Sequence, residues 1–238
     1  MAYTAIDDPE AYFQVVIYTG DGAANNAITL PADTDMQPDL VWIKNRDAAD
    51  SHCVFDAVRG ATKLISSDTS DAESTDTDTL DSFASDGFQV DADVKVNTNT
   101  EKYVAWCWKE SATAGFDIVS YTGNDTARTI SHSLSAVPRL YIARNTEEDR
   151  NWGVYHQALV DVQGDAGYRL VLNTTGAGFD DASYFNNTAP TSSVFSVGTN
   201  NGTNEDTKAH IAYLFAEKQG FSKFGGYTGN GNADGTFI

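Results

Sequence analysis

The sequence predicts an all-β protein: two tandem antiparallel β-sandwiches, jelly-roll-like, then a β-hairpin-like tail that opens a third copy. Three observations predict this. The chain repeats itself: Phe13-Gln14-Val15-Val16-Ile17-Tyr18-Thr19-Gly20 returns as Phe116-Asp117-Ile118-Val119-Ser120-Tyr121-Thr122-Gly123, and Tyr-Thr-Gly returns again at Tyr227-Thr228-Gly229. Short β-branched and aromatic runs are bounded by Gly, Asn, Asp, Pro and Ser, as strands and turns require. Helical periodicity is weak throughout. Ser70-Asp71-Ala72-Glu73 fits a helix start, but no apolar stripe follows it.

In the first unit, residues 1–110, these runs place strands near 12–19, 26–30, 39–45, 52–57, 62–67, 86–91 and 102–109. The second unit, residues 111–220, gives strands near 115–122, 128–134, 139–145, 151–156, 168–173, 193–198 and 208–217. Landmarks recur in one order. Pro38-Asp39-Leu40-Val41-Trp42-Ile43-Lys44-Asn45 pairs with Pro138-Arg139-Leu140-Tyr141-Ile142-Ala143-Arg144-Asn145, and Val104-Ala105-Trp106-Cys107-Trp108 with Ile211-Ala212-Tyr213-Leu214-Phe215. Tyr103–Trp108 is apolar on both faces, so it belongs in the middle of a sheet. The small-residue run Ser111-Ala112-Thr113-Ala114-Gly115 is the natural boundary. Residues 221–238 cannot form a core alone. They either start a longer array or donate a strand to an exposed sheet edge, in the same chain or in a neighbour, and Phe221, Phe224, Tyr227 and Phe237 are the residues expected to carry a contact between subunits.

Composition supports a packed interior, with 41% apolar and 11% aromatic residues among 238. No run approaches the length of a bilayer span, and no secretory leader is readable at the N-terminus. Thirty-four acids against 15 bases give a net charge of −19, which argues against nucleic-acid and membrane-surface partners. The charge is uneven, with 21 acids and 7 bases in residues 1–110 and 13 and 8 in the remainder.

No constellation for catalysis stands out. Two cysteines, Cys53 and Cys107, make no disulfide framework and read as small buried apolar side chains. His52, His132, His156 and His210 show no metal-ligand spacing, and there is no G-x-S-x-G elbow. The acidic stretch 68–78 supplies Asp68, Asp71, Glu73 and Asp76 as candidate ligands for a weak calcium site. It lacks the EF-hand glycine and closing acid, so a solvated loop is the favoured reading and no cofactor is expected. Trp42 and Trp152 are the aromatics considered for stacking on a glycan, although tryptophan at strand positions more often packs in the interior.

Several segments resemble a family of tailed-bacteriophage structural proteins. They include the opening residues 1–14, Gln37-Pro38-Asp39-Leu40-Val41-Trp42-Ile43-Lys44-Asn45-Arg46, Val58-Arg59-Gly60, Tyr103–Lys109, Ala212–Glu217 and Phe221–Gly231. The family carries a β-rich domain of unknown function, often in tandem. The resemblance implies a virion structural protein without catalytic residues, exposed to the medium on the phage particle. It implies other phage structural proteins as partners, a homo-oligomeric state, and contact with a host surface glycan. The expectation is a tail-associated fibre or host-adhesion module. A capsid decoration or cement protein is the alternative, and a particle-borne glycan-cleaving enzyme ranks third.

Overall fold

The computed structural model describes residues 4–235, so Phe237 of the tail lies outside the described part. The first half runs through β1 (Phe13–Thr19), β2 (Asn26–Thr29), β3 (Leu40–Asn45), β4 (Cys53–Asp56), β5 (Lys63–Ser66), β6 (Ser74–Thr75), β7 (Leu80–Ala84), β8 (Gly87–Val90), the one-turn helix α1 (Val94–Asn97) and β9 (Lys102–Trp108). The second half runs through β10 (Phe116–Thr122), β11 (Arg128–Ser131), β12 (Pro138–Asn145), β13 (Gly153–His156), α2 (Gln157–Gln163), β14 (Tyr168–Val171), β15 (Phe179–Asp180), α3 (Ala182–Phe185), β16 (Val194–Val197), α4 (Asn201–Asn204) and β17 (Ala209–Ala216).

The repeat in sequence is a repeat in topology. One six-stranded sheet has the order β1-β9-β3-β4-β5-β6, and the other has β10-β17-β12-β13-β14-β15. Every pairing within them is antiparallel. Each large sheet carries a smaller one on its inner face, β2-β8-β7 in the first half and β11-β16 in the second, so the layers are unequal. The fold is all-β. β9 lies between β1 and β3, at the interior position that its apolar sequence demands.

Between the layers, equivalent residues do equivalent work. Val41, Ile43, Phe55, Ala105 and Cys107 fill the first core. Tyr141, Ala143, Tyr155, Ala212 and Leu214 fill the second. Each such large side chain contributes roughly 1.5–3 kcal/mol by leaving water. Cys53 and Cys107 are free and buried. They sit on β4 and β9, on either side of β3, about 10 Å apart at ordinary strand spacing, which is too far for a bridge.

The Tyr-Thr-Gly repeat locks each half's last crossover. The Tyr18 hydroxyl donates to the Val96 carbonyl at 2.8 Å, and the Tyr121 hydroxyl donates to the Thr203 carbonyl at 2.6 Å. A β-carbon on Gly20 or Gly123 would collide with the carbonyl oxygen of Thr98 or Glu205 respectively, so only glycine lets the chains pass. Asn45 and Asn145 are a second matched pair. Each side-chain oxygen accepts two backbone N–H groups from the turn that follows, Asp47 and Ala48 in one half and Glu147 and Glu148 in the other.

Candidate functional site

The most elaborate chemistry lies in the seam between the halves. The outer faces of the two large sheets meet there. Leu40, Val54 and Ile65 from the first half pack with Phe116, Ile118, Ile142, Trp152, Val154, Ile211 and Tyr213 from the second. Trp42, Trp108, Leu140, Leu170 and Phe215 border them. The boundary run closes as a tight turn, in which Ser111 and Phe116 exchange backbone hydrogen bonds at 2.9 and 3.1 Å. The halves therefore share a continuous apolar interior and do not swing freely about the boundary.

Two buried arginines fasten this seam. Arg59, in the turn after β4, donates from Nε to Asp56 Oδ2 at 2.5 Å and from Nη1 to Glu73 Oε2 at 3.1 Å. The Tyr213 hydroxyl reaches across from β17 to donate to Asp56 Oδ2 at 2.7 Å, and it accepts from Arg59 Nη2 at 3.3 Å. Burial opposes the Arg59 charge, but Tyr213, Asp56 and Glu73 outweigh it and hold the pKa above its ordinary value. Burial pushes the Tyr213 phenol well up. Every guanidinium nitrogen of Arg59 has a hydrogen-bond partner.

Arg144, on β12 and fully buried, works in the other direction. It donates to the carbonyls of Ser66 at 3.4 Å, Thr69 at 3.3 Å and Ser70 at 3.0 Å, and also to that of Asp71. Its guanidinium stacks 4.7 Å from the Trp152 ring, whose indole N–H donates to Ser66 at 3.0 Å. Burial, then the nearby Arg59 charge, push its pKa down to about 10, so it stays cationic near neutrality. The Thr146 carbonyl and the Asp149 carboxylate take the N–H groups of Glu73 and Ala72.

The structure gives the acids considered for calcium other partners. The Asp68 carboxylate accepts from the His52 backbone, Glu73 faces Arg59 and Lys63, and Asp76 faces Lys95. The Asp71 carbonyl belongs to Arg144. Among the described residues no group of His, Cys, Asp or Glu is placed to hold a metal ion. The stretch is no free solvated loop either, because the second half grips its backbone. Glycan stacking by Trp152 is corrected as well: it is 1% exposed, with its ring under Arg144. Trp42 is half-buried at the seam's edge, and its indole N–H is buried without a partner.

Trp42 lines a cavity of about 370 Å³, with Phe13, Trp108, Phe116 and Phe215 around it. The tail closes one side. Phe221 meets Tyr12 edge-on at 6.4 Å, and Phe224 lies 6.2 Å from Phe215. These two tail aromatics, considered for a contact between subunits, pack against aromatic side chains of their own chain. Tyr227 remains 68% exposed. It borders a wider cleft of about 880 Å³ between the tail and α2, with Arg139, His156, Asp161 and Glu217. Those polar groups are engaged. His156 Nδ1 accepts from the Ala158 N–H to cap α2, Asp161 accepts from Gln157 at 2.6 Å, and Glu217 accepts from the Phe224 N–H at 3.2 Å.

One acid stands apart. Burial, a hydrogen bond to Asp117 and the charges of Asp117 and Asp39 raise Glu110 to about 7. It sits at the turn joining the halves, where its backbone N–H donates to Asp39 Oδ2 at 2.7 Å. A general acid needs such a pKa, but it also needs room for a substrate, and Glu110 lines neither cavity. The cysteines offer no nucleophile, since burial raises both thiols to about 12. Motif reasoning missed Asp56, Arg59, Arg144, Tyr213 and Glu110. A usable signal was present in Val58-Arg59-Gly60 and in Arg144, where an arginine directly follows the apolar run Leu140-Tyr141-Ile142-Ala143.

A family model described as a domain of unknown function, DUF7483, matches residues 8–238. The chain belongs to this family. The match runs through both halves, the seam and the tail as one unit. No curated protein and no solved structure matches the chain.

Proposed function

We propose that this protein is a non-catalytic structural component of a tailed-phage particle, associated with the tail as a fibre or host-adhesion module. One observation carries the non-catalytic part of this reading. The charged groups at the seam, Asp56 and Arg59 through Tyr213 and Arg144 through the carbonyls of residues 66–71, are engaged in joining two copies of one fold. A catalytic site leaves reactive groups facing an open pocket, whereas these face each other and main-chain carbonyls. The phage and tail assignments rest on the sequence segments that resemble virion proteins.

Gold-labelled antibody against the chain, applied to intact particles and viewed by electron microscopy, tests the assignment. Gold along the tail is the expected result, and label over the head makes it a shell decoration protein. Particles without label refute the virion reading. Release of reducing ends from host polysaccharide by the purified protein refutes the non-catalytic reading.

A further inference from the structure

The two halves treat their opening strands differently. β1 and β10 are the outermost strands of their sheets, each bonded on one side only. β10 has the sequence FDIVSYT, with Ile118 buried in the seam and Ser120 at its next outward position. β1 has the sequence FQVVIYT, with neither charge nor proline. At the matching outward positions it shows Val15, 39% exposed, and Ile17, 63% exposed. A bare apolar edge of seven residues is what monomeric proteins avoid, usually with a charge, a proline or a bulge.

The backbone of this edge is available too. The Tyr12 carbonyl accepts from the Lys109 N–H, and the Gly20 N–H donates to the Glu101 carbonyl. Even-numbered residues thus face β9, and strand alternation turns the N–H and C=O groups of Phe13, Val15, Ile17 and Thr19 outward. The side chains of Val15 and Ile17 lie on the face that Phe13 and Trp108 carry into the seam, since Val15 pairs with Trp106 and Phe13 with Trp108. The exposed strip therefore continues an interface already built.

We propose that β1 is a homodimerisation edge that pairs antiparallel with β1 of a second copy of this chain. A two-fold axis beside Val16 sets Val15 opposite the partner subunit's Ile17 and Phe13 opposite the partner subunit's Thr19. All four outward residues then fall in hydrogen-bonded pairs, giving about eight main-chain bonds and one sheet running through both copies. The strip is self-complementary, because the apolar pair Val15 and Ile17 meets itself in reverse. Lacking charge, the edge adds no local repulsion to that between two chains of −19 each, which salt screens.

Sedimentation of the full chain in physiological salt, across a range of concentrations, tests this. The expected mass is twice 25.7 kDa at high concentration. Ile17→Lys should restore the single-chain mass. Ile17→Ser, which copies the residue at the equivalent place in the other half, should weaken association at least about tenfold. Ser120→Lys should leave the mass unchanged. Amide exchange gives a second readout: Val15 and Ile17 should be slow in the dimer and fast in Ile17→Lys, while Val16 and Tyr18 stay slow in both. A single-chain mass at every concentration overturns the proposal, as does a two-chain mass that survives Ile17→Lys.

Discussion

Replacing Arg144 with alanine should cost about 3–4 kcal/mol, and the reason can be worked from its contacts. The guanidinium serves carbonyls from Ser66 to Asp71 and stacks on Trp152. Hydrogen bonds from a charged donor are each worth about 1.5–3 kcal/mol, and a desolvated cation–π contact is worth about 2. The gross sum is far larger than the net. Burying an arginine that keeps its charge costs several kcal/mol, and the loop carbonyls regain water once it is gone. At about 2–4 °C per kcal/mol for a chain of this size, the melting temperature should fall by roughly 10 °C. Arg144→Lys should recover less than half, because a point ammonium cannot reach carbonyls on both sides. Calorimetry measures the loss, and amide exchange over residues 66–73 locates it. Arg139→Ala serves as control: its side chain is 43% exposed and its Nε lies 3.8 Å from Glu217, so about 0.5 kcal/mol or less is expected. A loss below about 1 kcal/mol in Arg144→Ala, with residues 66–73 still protected, would show that the arginine does not hold the seam.

Tyr213→Phe removes one hydroxyl from the Asp56–Arg59 cluster and leaves the ion pair intact, so a loss of about 1–2 kcal/mol is expected in denaturant melts. A loss as large as that of Arg144→Ala would mean that the pair itself had collapsed. Glu110 titrates near 7 in the folded chain against 4.5 for an ordinary glutamate, because burial, Asp117 and Asp39 disfavour its charge. The folded state therefore holds the proton more tightly, and stability should rise as pH falls from above 7 toward 4.5. Glu110→Gln should flatten that slope in melts between pH 5 and pH 8, and an unchanged slope would assign it to other groups. Both thiols should resist iodoacetamide in the native state and react on unfolding, since each is buried with a pKa raised to about 12. Native labelling followed by mass spectrometry decides this, and a modified native cysteine would show that the core opens.

Most strands were legible because their physics is local. Phe13–Thr19 and Phe116–Thr122 alternate, are rich in β-branched and aromatic residues, and end at a glycine the backbone needs. β7 was missed because Leu80-Asp81-Ser82-Phe83-Ala84 is poor in strand formers, and its pairing with β8 supplies what propensity does not. The short helices α1 and α4 were missed because four residues carry no period. The seam was illegible for another reason. Arg59 lies 154 positions from Tyr213, and nothing local marks Asp56 as the group both will share. The grip on the backbone of the acidic stretch was illegible for the same reason, since Arg144, which takes its carbonyls, stands more than seventy positions away.

The seam also limits how further copies can be added. Leu40 and Leu140, Val54 and Val154, and Ile65 and Leu170 are equivalent residues, so both halves meet through the same sheet face. A contact in which each unit uses one face against the like face of another is closed: it makes a pair and then has no face left. A rod of many units therefore cannot be propagated by this packing, and any growth must use a different surface. The packing is also lopsided. On the second half it covers Ile118 and Ile211, while on the first half their counterparts remain less covered, Val15 exposed and Val104 half-buried. The seam thus covers an outward side chain of β10, Ile118, and leaves those of β1 exposed, and of the two unpaired edges β1 is the one without a charge. Face packing joins the units within the chain, and the edge pairing proposed above would join one copy to a second through a different surface.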